Sequence, residues 1–112
     1  MYDNQNIFAK ILRKEIPTDV IYEDDYVISF FDINPKAATH ALVVPKSPYE
    51  DFNDLMKKAT ADEIKGIFDA VHHIAEQLDV INAGYRLVVN VGKGSGQEVP
   101  HLHIHILSNK AR

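Results

Sequence analysis

The stretch Val99-Pro100-His101-Leu102-His103-Ile104-His105-Ile106-Leu107 carries the pattern that most constrains the fold. Histidine alternates with large aliphatic residues, and strict alternation is typical of a half-buried β-strand. Successive side chains of a strand point to opposite faces, so the three imidazoles would share one face and the aliphatic side chains the other. We therefore predict a strand over residues 99–107, with one face in the core and the other available for chemistry.

Three histidines on one strand face allow three interpretations. A merely solvated row is the least favoured, because only Leu and Ile separate the histidines. Neutral imidazole is a common zinc ligand. On an unbent strand, however, His101 and His105 would lie roughly 13 Å apart, which is too far for both to bind one ion easily. A zinc site would therefore use two of the three histidines and another ligand. In nucleophilic catalysis, one imidazole attacks a phosphorus or acyl centre while its neighbours stabilise the developing charge. The middle residue, His103, is then the best-placed nucleophile.

A glycine-rich segment, Gly92-Lys93-Gly94-Ser95-Gly96, directly precedes the histidines. Glycines let backbone N–H groups approach an anion, which favours a phosphate-bearing substrate. The segment is neither a dinucleotide fingerprint nor a P-loop, because a strand follows it and the Gly-Lys-Ser/Thr ending is absent. On this segment alone, a flexible hairpin loop is an equally good interpretation.

The rest of the chain predicts an α+β domain with a mainly antiparallel sheet. The β-rich runs are 20–22 and 26–31, which suggest a hairpin, then 40–44 and 85–91. A short N-terminal helix is predicted before Pro17 from the helical spacing of Ile7, Phe8, Ile11 and Leu12. A long helix is predicted from about Thr60 to Leu78, where a capping-box sequence begins it. The long helix should lie across the sheet through one apolar stripe. The stripe comprises Ile64, Ile67, Phe68, Val71, Ile74, Ala75 and Leu78.

Composition excludes several classes of protein. The 112 residues fit a single domain, predicted to span 1–112. The absence of Cys excludes disulfide frameworks, thiol nucleophiles and iron–sulfur clusters. A net charge of −4 argues against a polymeric nucleic-acid partner. Apolar runs fall far short of the ~18 residues that span a bilayer, so we expect no membrane partner and a cytoplasmic location.

The polar residues outside the histidine stretch are less informative on their own. His40 opens a strand and would more often be structural, and Asp32 follows a strand where a turn residue is expected. His72 and His73 lie away from the predicted apolar stripe, so they are expected to be solvated and to have no role.

Taken together, these residues resemble the histidine triad (HIT) family. His101 to Leu107 matches the family signature of His, apolar, His, apolar, His, apolar, apolar. Nearly the whole chain, from about residue 6 to residue 107, is similar to the nucleotide-binding branch of that family. The matching stretches include 13–17, 22–25, 39–46 and 86–90, together with Gly96-Gln97-Glu98-Val99 before the triad.

The resemblance implies a sheet of about five antiparallel strands with the long helix across it, and a homodimer. It also implies hydrolysis of purine nucleoside phosphoramidates without a metal or other cofactor. His103 would attack the α-phosphorus and form a nucleotidyl-histidine, His105 would contact the phosphate, and His101 and His40 would orient the nucleophile. The implied nucleotide-binding residues are Asp32 at the ribose, Phe8, Phe30 and Ile33 at the base, and Asn90, Gly96, Gln97, Glu98 and Val99 around the phosphate and leaving group.

Two features depart from the usual pattern of that branch. Ser108-Asn109 follow the triad where Gly-Gly is frequent, and Glu98 stands where some members carry Ser. Neither the leaving group nor the choice between adenine and guanine is therefore predicted. A non-catalytic nucleotide-binding or regulatory module is the main alternative function, and a zinc-dependent hydrolase is the lesser one.

Overall fold

Five strands form one antiparallel sheet in the computed structural model, which describes residues 1–111. They are β1 (Val20–Glu23), β2 (Val27–Phe31), β3 (Thr39–Pro45), β4 (Arg86–Val88) and β5 (Ile104–Ser108). The order across the sheet is β1-β2-β3-β5-β4, so the last strand in sequence lies between β3 and β4. The α+β class, the five-stranded sheet and the β1–β2 hairpin are confirmed. Residue 112, the predicted end of the domain, lies outside the described residues.

Three α-helices accompany the sheet in the described part of the chain: α1 (Ile7–Leu12), α2 (Phe52–Lys58) and α3 (Ala61–Gln77). The predicted cap of α3 is present, because the Thr60 hydroxyl accepts the Glu63 N–H at 3.1 Å. The Glu63 carboxylate does not return to the cap, however; it accepts hydrogen bonds from the Ser47 and Tyr49 hydroxyls. This contact ties the start of α3 to the segment that follows β3.

One face of the sheet packs against α3, as the alternation predicts. Leu102, Ile104 and Ile106 belong to the same buried cluster as the α3 residues Ile67 and Ile74. Burial of such aliphatic side chains contributes roughly 1.5–3 kcal/mol each. Within residues 1–111, no helix is both long enough and apolar enough to cross a membrane.

Phe68 is an exception to the predicted apolar stripe of α3. Its side chain remains 43% exposed, whereas Ile67, Ala70, Val71, Ile74 and Ala75 are buried. The Phe68 ring lies at the margin of the stripe, where it borders a small apolar cleft beside α2.

The opposite face of the sheet is only partly covered by α1. Phe8 and Ile11 pack against side chains from β2 and β3 that include Ile28, Phe30 and Leu42. The part of this face that α1 leaves uncovered carries the polar side chains described below.

The predicted strand over residues 99–107 is wrong at its start, because β5 begins only at Ile104. Val43 pairs with Ile104, so an extended ladder would place Leu102 opposite Pro45. Pro45 has no N–H to donate, and its carbonyl accepts the His101 ring at 2.7 Å. Leu102 instead donates its N–H to Tyr49 O at 2.8 Å. His101 and His103 therefore precede the strand, although the aliphatic residues between the histidines still enter the α3 core.

Candidate active site

A cleft of about 680 Å³ opens on the face of the sheet that α1 only partly covers. Its floor consists of side chains from three neighbouring strands. Leu42 pairs with His105 and His105 with Val88, while His40 pairs with Leu107 and Leu107 with Arg86. Paired residues of neighbouring strands project to the same side, so the register itself brings these groups together.

Most of the predicted site residues line this cleft. They are Phe8, Phe30, Asp32, Ile33, His40, Asn90, Gly96, Glu98, Val99, His103 and His105. Two predicted residues lie outside the lining, His101 and Gln97. His101 is fully buried behind His103. Gln97 holds the shape of the glycine-rich loop, accepting the Gly92 N–H at 2.7 Å and donating to Glu50 O at 2.8 Å.

The His103 ring presents an unprotonated nitrogen to the cleft. Its Nδ1 lies 2.7 Å from the carbonyl oxygen of His101, which can only accept, so Nδ1 carries the proton. Burial lowers the pKa of His103, and the bond to that carbonyl only partly opposes the effect. The ring is therefore neutral near pH 7, and its Nε2 lone pair is available as a nucleophile.

His40 fixes the opposite tautomer in His105. The Lys36 N–H donates to His40 Nδ1 at 3.0 Å, so the His40 proton lies on Nε2. Nε2 then donates to His105 Nδ1 at 2.8 Å. His105 consequently carries its own proton on Nε2, which is buried and has no hydrogen-bond partner among the described residues. Burial, together with the neighbouring His103 and His40, lowers the pKa of His105 to about 4, so this donor is neutral.

Asp32 acts as a turn residue and also lines the cleft, two roles that the sequence suggested as alternatives. Its Oδ1 accepts the Asn34 N–H at 2.8 Å, which is the expected turn interaction. The same carboxylate lines the cleft, with Oδ2 3.5 Å from His40 Nε2. Asp32 is therefore positioned both to shape the chain after β2 and to accept hydrogen bonds from a ligand.

The zinc interpretation can be tested against one group of side chains. Asp32, His40 and His105 each offer an atom to a metal, and these atoms lie within 4.8 Å of one another. The Lys36 N–H occupies His40 Nδ1, however, and leaves the proton on the nitrogen that faces the group. A metal ligand must present a lone pair, so an ion here would require His40 to lose that proton or its bond to Lys36. The arrangement fits a hydrogen-bond relay better than a cation site.

Sequence reasoning missed several residues of the cleft. Lys36 and Arg86 place cationic side chains in its lining, and neither forms an ion pair with another residue of the range 1–111. Leu42, Val88 and Leu107 form apolar parts of the floor. Alternation along each strand assigns these side chains to one face of that strand. Only the pairing register shows that the faces in question on β3, β4 and β5 form the same side of the sheet.

Comparison with known proteins relates the chain to one family. The HIT domain family matches residues 13–112. The purine nucleoside phosphoramidase of Escherichia coli K12 is 40% identical over 107 residues, which cover 95% of this chain and 88% of that protein. A HIT-like protein of Helicobacter pylori strain 26695 is 48% identical over 103 residues, covering 92% and 95%. The solved structure of a HIT family hydrolase from Clostridium thermocellum has a TM-score of 0.87 at 37% identity, covering 95% of this chain and 91% of that one.

We predict that the free energy of unfolding falls as the pH is lowered from about 6.5 towards 4. Burial lowers the pKa of His101 and of His105 from 6.5 to about 4 in the folded chain. Between these values the unfolded chain binds protons that the folded chain excludes, so acid favours unfolding. Urea unfolding at a series of pH values measures the slope. The variant His101→Gln removes one of the groups with a strongly lowered pKa and should make the slope shallower, whereas an equally steep slope in that variant would contradict the assignment.

Proposed function

The chain belongs to the histidine triad (HIT) family, and we propose that it hydrolyses purine nucleoside phosphoramidates and related nucleotide conjugates at the α-phosphorus. The observation that carries the proposal is the pair of tautomers in the cleft. His103 offers an unprotonated Nε2, and His105 offers a protonated Nε2 that has no hydrogen-bond partner within residues 1–111; the centroids of the two rings are 5.0 Å apart. A nucleophile next to a neutral hydrogen-bond donor suits attack on an anionic phosphorus centre.

In the first step, His103 Nε2 forms a bond to the α-phosphorus and the bond from phosphorus to the leaving amine breaks. The amine takes up a proton from solvent at the mouth of the cleft, where Glu98 is exposed. The nucleotidylated ring now carries a positive charge, and its Nδ1–H remains bonded to the His101 carbonyl. A hydrogen bond from a charged donor is about twice as strong as a neutral one, so this contact strengthens as the bond to phosphorus forms.

His105 stabilises the negative charge on the phosphate oxygens during both steps of the reaction. Its Nε2–H donates to a non-bridging phosphate oxygen, and the relay from Lys36 through His40 keeps the proton on that nitrogen. In the second step, water attacks the nucleotidyl-histidine, which releases the nucleoside monophosphate and restores His103. Imidazoles supply both the nucleophile and the donor, so the proposed reaction requires neither a metal nor an organic cofactor.

The cleft also offers a place for each part of a nucleotide. Phe8, Phe30 and Ile33 are apolar residues of its lining and would hold the purine, in line with the family correspondence. The Asp32 carboxylate would accept the ribose hydroxyls. Asn90, Gly96, Glu98 and Val99 would surround the phosphate and the leaving group, and Gln97 would act indirectly by holding the loop.

We further propose that two copies pair through the β4 edge of the sheet. Among the strands of the described chain, β4 pairs with β5 and lies at the edge of the sheet. The Leu87 side chain on β4 is 45% exposed, and Phe68 on α3 is 43% exposed. Phe52, Phe68 and Val89 border an apolar cleft of about 260 Å³ on the same side of the sheet as α3. An open strand edge beside exposed apolar side chains suits a twofold, self-complementary contact.

Replacing His103 by Ala should abolish turnover of an adenosine phosphoramidate, by at least about a thousandfold, because the attacking nitrogen is lost. AMP binding should remain measurable by calorimetry, since the remaining cleft is intact. His72→Ala, on the exposed side of α3, is the matched control and should keep full activity.

The same assay separates the alternative functions. Unchanged turnover in His103→Ala would defeat the proposed nucleophile. A wild-type protein that binds AMP but hydrolyses no phosphoramidate, acyl-adenylate or dinucleoside polyphosphate would be a binding module. Stoichiometric zinc, with activity lost to chelators, would indicate a zinc hydrolase.

Asp32→Asn should weaken the binding of AMP by about tenfold or more, because hydrogen bonds to a charged acceptor contribute roughly 1.5–3 kcal/mol. The affinity for 2′,3′-dideoxy-AMP should change little, since that ligand lacks the hydroxyls concerned. Calorimetric titration of both ligands gives the comparison, and Asp25→Asn in the β1–β2 turn is the control. An equal loss of affinity for both ligands would show that Asp32 does not bind the ribose.

Leu87→Arg should convert the proposed dimer into a monomer, because it places a charge at the centre of the paired edge. Light scattering after size-exclusion chromatography measures the mass directly. Val20→Arg is the matched control, since Val20 is 44% exposed on β1 at the other edge of the sheet. A monomeric wild-type protein, or a dimer retained in Leu87→Arg, would contradict the proposed interface.

A further inference from the structure

A hydrogen bond joins Tyr2 to the first histidine of the triad across 99 positions of the chain. The Tyr2 hydroxyl contacts His101 Nδ1, and the two rings meet edge to face with centroids 5.5 Å apart. The other ring nitrogen, Nε2, donates to Pro45 O at 2.7 Å. Burial lowers the pKa of His101 to about 4, so the ring is neutral and Nδ1 holds a lone pair. The Tyr2 hydroxyl is therefore the donor.

His101 makes the hydrogen bond that fixes the tautomer of the nucleophile, His103. Its carbonyl accepts His103 Nδ1–H at 2.7 Å, and its own N–H donates to Val99 O at 2.8 Å. Because residues 99–103 lie outside the strand ladder, the sheet does not fix this carbonyl. The Leu102 N–H of the same peptide unit donates to Tyr49 O at 2.8 Å. The contacts at both nitrogens of the His101 ring hold the residue to which this carbonyl belongs.

The segment before α1 keeps Tyr2 in place. The Asn6 side chain donates to Asp3 O at 2.7 Å and accepts the Ala9 N–H at 2.9 Å, which caps α1. Arg13 at the other end of the helix donates to Asn4 O at 2.8 Å. The same helix packs the Phe8 ring against His103, with centroids 4.9 Å apart. One short helix thus sets the contacts of two successive histidines of the triad.

We propose that Tyr2 is a positioning residue for the nucleophile. Its hydroxyl holds the His101 ring in one tautomer and one orientation. The ring, together with the bond from Leu102 N–H to Tyr49 O, fixes the His101 carbonyl, and that carbonyl keeps the proton of His103 on Nδ1. Tyr2 lies outside the lining of the cleft, so it acts on the reaction and not on nucleotide binding. The inference rests on the proposed function for its kinetic consequence, whereas the tautomer of His101 can be measured without it.

Tyr2→Phe is the decisive variant, because it keeps the ring and removes only the hydroxyl. We expect kcat for an adenosine phosphoramidate to fall about five- to tenfold, which is the net contribution of one hydrogen bond expressed as a rate. KM for the nucleotide should stay unchanged. Tyr22→Phe is the matched control, since the Tyr22 hydroxyl donates to Asp24 at 2.8 Å, outside the cleft.

A second readout follows the imidazole nitrogens by ¹⁵N NMR. The wild-type protein should show His101 protonated at Nε2 and hydrogen-bonded through an unprotonated Nδ1, and His103 protonated at Nδ1. In Tyr2→Phe, the His101 Nδ1 resonance should move towards that of a free imidazole nitrogen, and His103 should show a mixture of tautomers.

Three results would overturn the proposal. They are a wild-type His101 protonated at Nδ1, a Tyr2→Phe variant with wild-type kcat and wild-type nitrogen shifts, and an equal loss of kcat in Tyr22→Phe. If the wild-type protein turns over no substrate, the proposed function fails, and the nitrogen shifts still decide whether Tyr2 sets the tautomers of His101 and His103.

Discussion

Backbone groups determine which nitrogen of His40, His101 and His103 carries a proton, and His40 in turn determines it for His105; the chemistry of the cleft depends on this constraint. The Pro45 carbonyl accepts a hydrogen bond from His101 Nε2–H, the His101 carbonyl accepts one from His103 Nδ1–H, and the Lys36 N–H donates to the lone pair on His40 Nδ1. A carbonyl cannot donate and an amide N–H cannot accept, so each bond leaves a single neutral tautomer. The two rings nearest a bound phosphate then differ, one offering a lone pair and the other a proton.

The layers of the fold supply the dry environment that this arrangement needs. α3 covers the centre of one face of the sheet, while α1 covers only part of the other, so the histidines lie in a recess and not on an open surface. Burial is the largest cause of the lowered pKa of His40, His101, His103 and His105. Charged imidazoles are thereby disfavoured, and hydrogen bonds among neutral rings gain strength in the low dielectric.

Alternation in the histidine stretch predicted the two-faced arrangement, the order of the β-rich runs and helices predicted the α+β class, and the apolar stripe of α3 predicted its packing across the sheet. Alternation could not predict where β5 begins, because the break depends on Pro45, which lies far away in the sequence and close in the fold. α2 was missed since it is seven residues long and buries only Leu55, which leaves no periodicity to detect. The part played by Lys36 was equally hidden, because its backbone N–H, common to nearly every residue, makes the contact with His40.

The irregular segment before β5 links two positions that a comparison of related sequences would treat as independent. The ladder between β3 and β5 ends at Val43 and Ile104, so β3 does not hold the segment of His101, and the His101 carbonyl accepts an imidazole N–H. An amino acid with an N–H at position 45 would donate to the Leu102 carbonyl and extend the ladder, which would straighten the segment and turn the neighbouring His101 carbonyl away from His103. Positions 45 and 103 should therefore change together during divergence, although the contact between them runs entirely through His101.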